Sequence, residues 1–281
     1  MREMRILFIG TGGAIPTEDR GHPSLLVEYD STKILVDCGE GTQIRAKSLH
    51  GESLHDVDAV LITHHHADHV SGLVPLATTV SMLHGRNLRV YGPEPGDEAE
   101  ALDVRECEGI DYETLDPGDE VEVGNLRVKA FESRHGVPCL DYRVETDVVP
   151  GKADPKALNE LPPERRGEAL RERGSPYTIT EPGRISVYLK GDGRPADPSN
   201  VKGCDLLVHE ATFDDPGDAR RYMHSTHVEA AEVAKKANVT FLVLTHFSAK
   251  VDPVRMREEA KEVFPNVVTA EDGLRISLRR L

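Results

Sequence analysis

With 281 residues, of which 38% are hydrophobic and 30% charged, the chain is long enough for one large α/β domain or two small ones and is too apolar to be disordered. No apolar run approaches the ~18–20 residues of a membrane span, and the cysteines Cys38, Cys107, Cys139 and Cys204 form no C-x-x-C pair, which favours buried thiols over a disulfide framework. A net charge of −15 repels polyanions on average, so nucleic-acid binding would need basic residues concentrated locally.

The N-terminal Met1-Arg-Glu-Met-Arg5 leads straight into an apolar run without a signal-peptide cleavage pattern, which predicts a cytoplasmic protein. Short β-rich runs follow at Arg5–Ile9, Ser24–Glu28, Lys33–Asp37 and Ala59–Thr63, then at Leu126–Phe131, Tyr142–Glu145, Ile185–Leu189, Asp205–His209 and Thr240–Thr245. Residues 147–184 contain Pro150, Pro155, Pro162, Pro163, Pro176 and Pro182 amid charged residues, and read as an insertion, arm or long loop. Thr226-His-Val-Glu229 is a capping box that opens a helix with Val228, Ala231, Ala234 and Ala237 on one weakly apolar face. Asp252-Pro253 opens another, with Met256, Ala260, Val263 and Phe264 on its buried side. This alternation fits two sheets covered by helices or one doubly wound sheet, and does not choose between them.

The densest chemistry lies in Leu61-Ile-Thr-His-His-His-Ala-Asp-His-Val70. His64 and His66 leave a strand end on the same side, and alternation points His65 the other way, as a supporting or solvent-facing residue. Asp68 and His69 follow one step later, before Val70–Ala77, which could begin a helix. Imidazole nitrogen and carboxylate oxygen are ligands that zinc accepts. His135, Asp192 and His246 each follow an apolar run, and with the first cluster they make a set of seven.

The H-x-H-x-D-H run, followed by these three residues, resembles the metallo-β-lactamase superfamily. The resemblance implies a four-layer αββα sandwich and two zinc ions, with manganese or iron as alternatives. One ion would take His64, His66 and His135, the other Asp68, His69 and His246, and Asp192 would bridge both together with a hydroxide. Such a superfamily hydrolyses many substrates, so finer motifs must decide. Asp37-Cys-Gly-Glu-Gly-Thr-Gln43, His209-Glu-Ala-Thr-Phe213 and His224-Ser-Thr226 resemble the ribonuclease Z family. In that family's terms Asp37 would orient a metal ligand, Asp68 would hold the attacking group or accept its proton, and His224, paired with Glu210, would protonate the leaving oxygen. The same residues also read as a glycine-rich turn before a helix at Gly41–Leu49 and as helix capping at Ser225-Thr226.

Gly151-Lys-Ala-Asp-Pro155 and Leu161-Pro-Pro163 resemble the inserted arm with which the family grips tRNA, and Arg165, Arg166, Arg171 and Arg173 would be its substrate contacts. The expected protein is thus a single domain over residues 1–281, inserted at about 147–184. It is expected to remove the 3′ trailer of precursor tRNA after the discriminator nucleotide, and to be a homodimer. Two departures stand out: Gly193 replaces a usual threonine, and Glu18 and Gly21 replace a lysine and an asparagine. Rival readings are a hydrolase of small phosphodiesters or lactones and a catalytically weak tRNA-binding homologue.

Overall fold

Side chains alternate faces along the first strand, and both faces are apolar: Ile6 and Phe8 join one buried cluster, Leu7 and Ile9 another. A strand buried on both sides belongs inside a layered structure. A computed structural model describes residues 3–96, 101–150, 152–172, 175–178 and 183–279. The first half runs β1 (Glu3–Gly10), β2 (Ser24–Tyr29), β3 (Thr32–Val36), α1 (Thr42–His50), β4 (Ala59–Leu61), α2 (Ala67–Val70), α3 (Leu73–His84), β5 (Leu88–Gly92) and β6 (Ile110–Thr114). There follow β7 (Glu120–Val123), β8 (Leu126–Ser133), β9 (Cys139–Thr146), α4 (Pro155–Leu158), α5 (Pro163–Ala169), β10 (Ser186–Leu189), α6 (Pro198–Val201) and β11 (Leu206–Glu210). The chain continues with α7 (Pro216–Arg221), α8 (His227–Ala237), β12 (Phe241–Thr245), α9 (Pro253–Val263), β13 (Val267–Thr269) and β14 (Arg275–Arg279).

Two seven-stranded sheets result, in the orders β14-β1-β2-β3-β4-β5-β6 and β13-β12-β11-β10-β9-β8-β7. One apolar cluster lies between them, with Phe8, Val27 and Leu61 from the first sheet and Val128, Tyr142, Val187 and Val243 from the second. Outside the first sheet, Ala46 of α1 and Leu73, Leu76, Ala77 and Val80 of α3 pack on Leu35, Val60 and Val90. Outside the second, Ala230, Ala234 and Ala237 of α8 and Met256 and Ala260 of α9 cover Tyr188, Leu207 and Leu242. Three apolar interfaces define four layers, helix–sheet–sheet–helix, which settles the choice left open by periodicity.

The capping box forms as the sequence requires: Thr226 Oγ1 accepts from the Glu229 amide at 3.2 Å, and the Glu229 carboxylate accepts from the Thr226 amide at 2.9 Å. The buried face of α8 is broader than expected, taking in His227, Ala230 and Val233, while Val228 is only half-buried. Cys38, Cys139 and Cys204 are buried free thiols and Cys107 is half-buried. The proline-rich segment leaves between the neighbouring strands β9 and β10, carries α4 and α5, and is closed by bridges at Val149–Gly183 and Ala153–Thr178. Among the described residues no helix is long and apolar enough to cross a membrane.

Candidate metal centre

Parallel pairing aligns β3 with β4 in one sheet and β10, β11 and β12 in the other, and β8 shares their direction through two antiparallel steps. Residues just past these strand ends meet at one edge of the sandwich, where ligands of open α/β sheets gather. The first sheet brings Asp37 and His64–His69. The second brings His135, Asp192, Glu210 and His246, with His224 on the turn before α8.

His64 Nε2 lies 2.9 Å from His66 Nδ1, which lies 3.5 Å from His135 Nε2. A second group forms around Asp68, whose Oδ2 is 3.5 Å from His69 Nε2 and 3.7 Å from His246 Nε2. Asp192 Oδ2 sits between the groups, 3.2 Å from His246 Nε2, 3.4 Å from His69 Nε2 and 3.9 Å from His64 Nε2. His64, His66 and His135, and separately Asp68, His69 and His246, present ligand atoms close enough to share an ion.

The outward nitrogens of several of these rings are held. Asp37 Oδ2 is 2.8 Å from His69 Nδ1, and Thr63 Oγ1 is 3.0 Å from His64 Nδ1. Thr212 Oγ1 is 2.8 Å from His246 Nδ1, and the Met223 carbonyl is 3.3 Å from His135 Nδ1. A carboxylate only accepts, so Nδ1 of His69 carries a proton and Nε2 is the nitrogen that faces the centre. Asp37 and His246 reach these positions with positive φ of 56° and 59°, a backbone cost typical of functional sites.

Nε2 of His69 and of His246 are buried without a hydrogen-bond partner, a costly state that a cation accepting their lone pairs would relieve. Burial and neighbouring imidazoles hold His64 well below its usual pKa, and burial brings His135 down to about 4, so both rings are neutral and able to ligate. At Asp68 burial favours protonation, but His69 and His246 outweigh it and keep the carboxyl ionised. The residues present thus offer the donor types and spacing of a metal site.

Beside this cluster, Glu210 accepts from the Ser225 amide at 2.7 Å, the Thr212 amide at 2.9 Å and the Thr212 hydroxyl at 2.7 Å. Its Oε1 is 3.3 Å from His224 Nδ1. Burial opposes ionisation of Glu210, but His224 overcomes it and brings the carboxyl down to about 2. At His224 burial disfavours the cation, yet Glu210 raises the pKa above the ordinary value. The pair is an imidazole whose protonated form a carboxylate favours, at the rim of the cluster.

His65 points away from the cluster and is 1% exposed, bonded to the Leu102 carbonyl at 2.9 Å and the Tyr112 hydroxyl at 2.9 Å. Of its two expected settings, the solvent-facing one is thereby excluded. Thr63 and Thr212, which link several of these groups, escaped the sequence reading; their only signal was a place inside the motifs already noted.

The departures at Gly193 and Gly21 have physical reasons. At Gly193 φ is 131° and a Cβ would come within 2.5 Å of the Arg134 carbonyl, so no side chain fits, and the Ser133 hydroxyl lies 3.1 Å from that point. At Gly21 the space is filled by Arg45, whose guanidinium pairs with Asp272 at 2.5 Å. Of the four arginines, Arg165 and Arg171 are exposed near Tyr177, Arg166 donates to the Leu161 carbonyl at 3.0 Å, and Arg173 lies outside the described residues.

The layers and the clustered histidines define a hydrolase-like scaffold of the β-lactamase type: the family described as "Beta-lactamase superfamily domain" matches residues 32–247. The chain is 62% identical to ribonuclease Z of Methanopyrus kandleri, over 99% of each chain. Among solved structures it resembles the metallo-β-lactamase fold protein YhfI of Bacillus subtilis (TM-score 0.75, 22% identity, 99% of this chain and 100% of that one). It also resembles the short form of human tRNase Z (TM-score 0.67, 25% identity, 98% and 99% covered). The chain belongs to the ribonuclease Z family of the β-lactamase superfamily.

Proposed function

We propose that this protein is a zinc-dependent endoribonuclease that cuts precursor tRNA after the discriminator nucleotide and leaves a 3′-hydroxyl on the tRNA. The observation that carries the reading is the Glu210–His224 pair, 3.3 Å apart, at the rim of a seven-residue His/Asp cluster in a chain so similar to a ribonuclease Z. His64, His66 and His135 would hold one ion, Asp68, His69 and His246 the other, and Asp192 both. Bound ions supply positive charge that activates water and stabilises the charge developing on the phosphate.

The chain's own residues then divide the proton work. Water attacks phosphorus and the bond from phosphorus to the 3′-oxygen of the discriminator breaks. Asp68 Oδ2 takes the proton of the attacking water. His224, its Nδ1 tied to Glu210 and Thr212, delivers a proton from Nε2 to the departing 3′-oxygen. The trailer leaves with the phosphate.

Arg165, Arg166 and Arg171, with Arg173 beyond the described residues, would meet the tRNA from the inserted segment at 147–184 and offset the acidic remainder. Large apolar side chains exposed on the outer layer, Ile44 and Leu49 of α1 and Val74, Met82 and Leu83 of α3, support a homodimer formed through that face. The expected compartment is the cytoplasm.

The test uses full-length protein, an end-labelled precursor tRNA with a 3′ trailer, and Zn2+, beside Asp68→Ala. A single cut after the discriminator, absent in the variant, is expected. Turnover of a simple phosphodiester with no cut in tRNA would transfer the assignment to a small-substrate hydrolase.

A further inference from the structure

Lys190 follows β10, two positions before Asp192, and its side chain is 1% exposed. A buried ammonium demands partners. Its Nζ donates to the Gly191 carbonyl at 2.7 Å, to the Asp192 carbonyl at 3.3 Å and to the Ser133 hydroxyl, and lies 3.2 Å from Asp141 Oδ1. Asp141 is fixed in turn, accepting from the Tyr188 hydroxyl at 2.8 Å and from the Gly191 amide at 3.0 Å. The Asp192 carbonyl also accepts from Ser133 Oγ at 2.7 Å and Cys139 Sγ at 3.3 Å. Strands β8, β9 and β10 thus converge on two peptide units.

Those two units carry the carboxylate that lies between the two groups of histidines. Since no side chain fits at Gly193, the support must come from elsewhere, and it comes from Ser133 and Lys190. An ion pair in this position is an expensive way to add stability, because desolvation offsets much of the attraction, whereas it fixes geometry well.

We propose that Lys190, neutralised by Asp141, is a positioning residue for the metal centre: it fixes the main chain of Gly191 and Asp192 and so aims the Asp192 carboxylate between His64, His69 and His246. The proposal rests on the reading of Asp192 as a metal ligand. A displaced carboxylate costs both ions a ligand, so the effect falls on metal affinity before any substrate is bound.

The test strips full-length protein of metal and titrates it with Zn2+ against a chromogenic chelator. The set is the parent, Lys190→Met/Asp141→Asn, Asp192→Asn and the triple variant, with thermal unfolding of the metal-free chains in parallel. Removing both charges together leaves no lone buried ion. The pair variant is expected to lose about 10–100-fold in Zn2+ affinity, as supports of metal ligands do. Asp192→Asn and the triple variant should bind alike within about twofold, because both perturbations act through one carboxylate.

Parental affinity in Asp192→Asn would overturn the reading of the site and the proposal with it. A weakened Asp192→Asn beside an unaltered pair variant would overturn the proposal alone. So would equal losses in the parent and Asp192→Asn backgrounds, since Lys190 would then act on the fold at large. Should the pair variant not fold, Ser133→Ala removes one hydroxyl link, leaves both charges, and is read by the same criteria at about threefold amplitude.

Discussion

Replacing Asp37 by Asn exchanges one oxygen for an amide and leaves shape and backbone alone, since Asn tolerates the φ of 56° at this position. The Oδ1 contact to the Thr63 amide at 2.8 Å survives. On the other side the new NH2 faces His69 Nδ1 at 2.8 Å and the Thr63 hydroxyl at 2.9 Å. An amide that donates to Nδ1 stabilises the tautomer protonated on Nε2, the atom that faces Asp68 and Asp192 and would ligate the ion. Binding must first reverse that tautomer or break the new bond, a penalty of about 1.4–2.7 kcal/mol, equivalent to a 10–100-fold loss of affinity. The metal-free chain loses less, about 1 kcal/mol, because the hydroxyl of Thr63 can accept where it formerly donated. Titration of stripped protein with Zn2+ against a chelator, with unfolding of the metal-free chain alongside, separates the two effects. Parental affinity for both ions in Asp37→Asn would refute the assigned tautomer and the supporting role of Asp37.

Glu210→Gln should lower kcat and shift the alkaline limb of kcat/KM on precursor tRNA to lower pH. The His224 cation that Glu210 stabilises is present below the raised pKa and is lost as pH climbs through it, so a parental limb in the variant would remove His224 from the acid role. Arg165→Ala/Arg171→Ala should flatten the plot of log affinity against log salt for precursor tRNA by about 1.5, roughly two phosphate contacts, with cleavage of a short trailer substrate unchanged. An unchanged slope would show that the tRNA is held elsewhere.

The parts of this molecule that could be read in advance are those whose chemistry is local in sequence. His64 to His69 fall within one strand-to-helix turn, and His135, Asp192 and His246 each follow an apolar run that is itself a strand. Five strands were missed. Of these, β6, β7 and β14 have mostly wet faces, with Ile110–Thr114 and Arg275–Arg279 burying at most one side chain each. The strand β13 is only three residues long, whereas the mostly buried β5 has no such excuse. The pairing of β14 is non-local too, since it lies against β1 at the opposite end of the chain. The same reason hid Lys190, Ser133 and Asp141. Each is an ordinary polar residue on a strand or, for Lys190, just past its end, and only the register of β8, β9 and β10 makes them neighbours. Gly193 looked like a deficit in the sequence because the residue compensating it is sixty positions upstream at Ser133.

The candidate centre draws its first ligands from one sheet and its last from the other, and the chain between His64 and His246 contains nearly all of the second sheet. An ion held there would act as a long-range cross-link, joining two slabs that otherwise meet through an apolar core and a few hydrogen bonds such as Tyr142 hydroxyl to the Ile62 carbonyl. Because the site exists only in the folded chain, the free energy of binding there would add to the stability of the whole sandwich. The edge that carries the chemistry would then also be the clasp of the sandwich, and the grip of chelators on this protein would be felt in the mechanics of the whole chain.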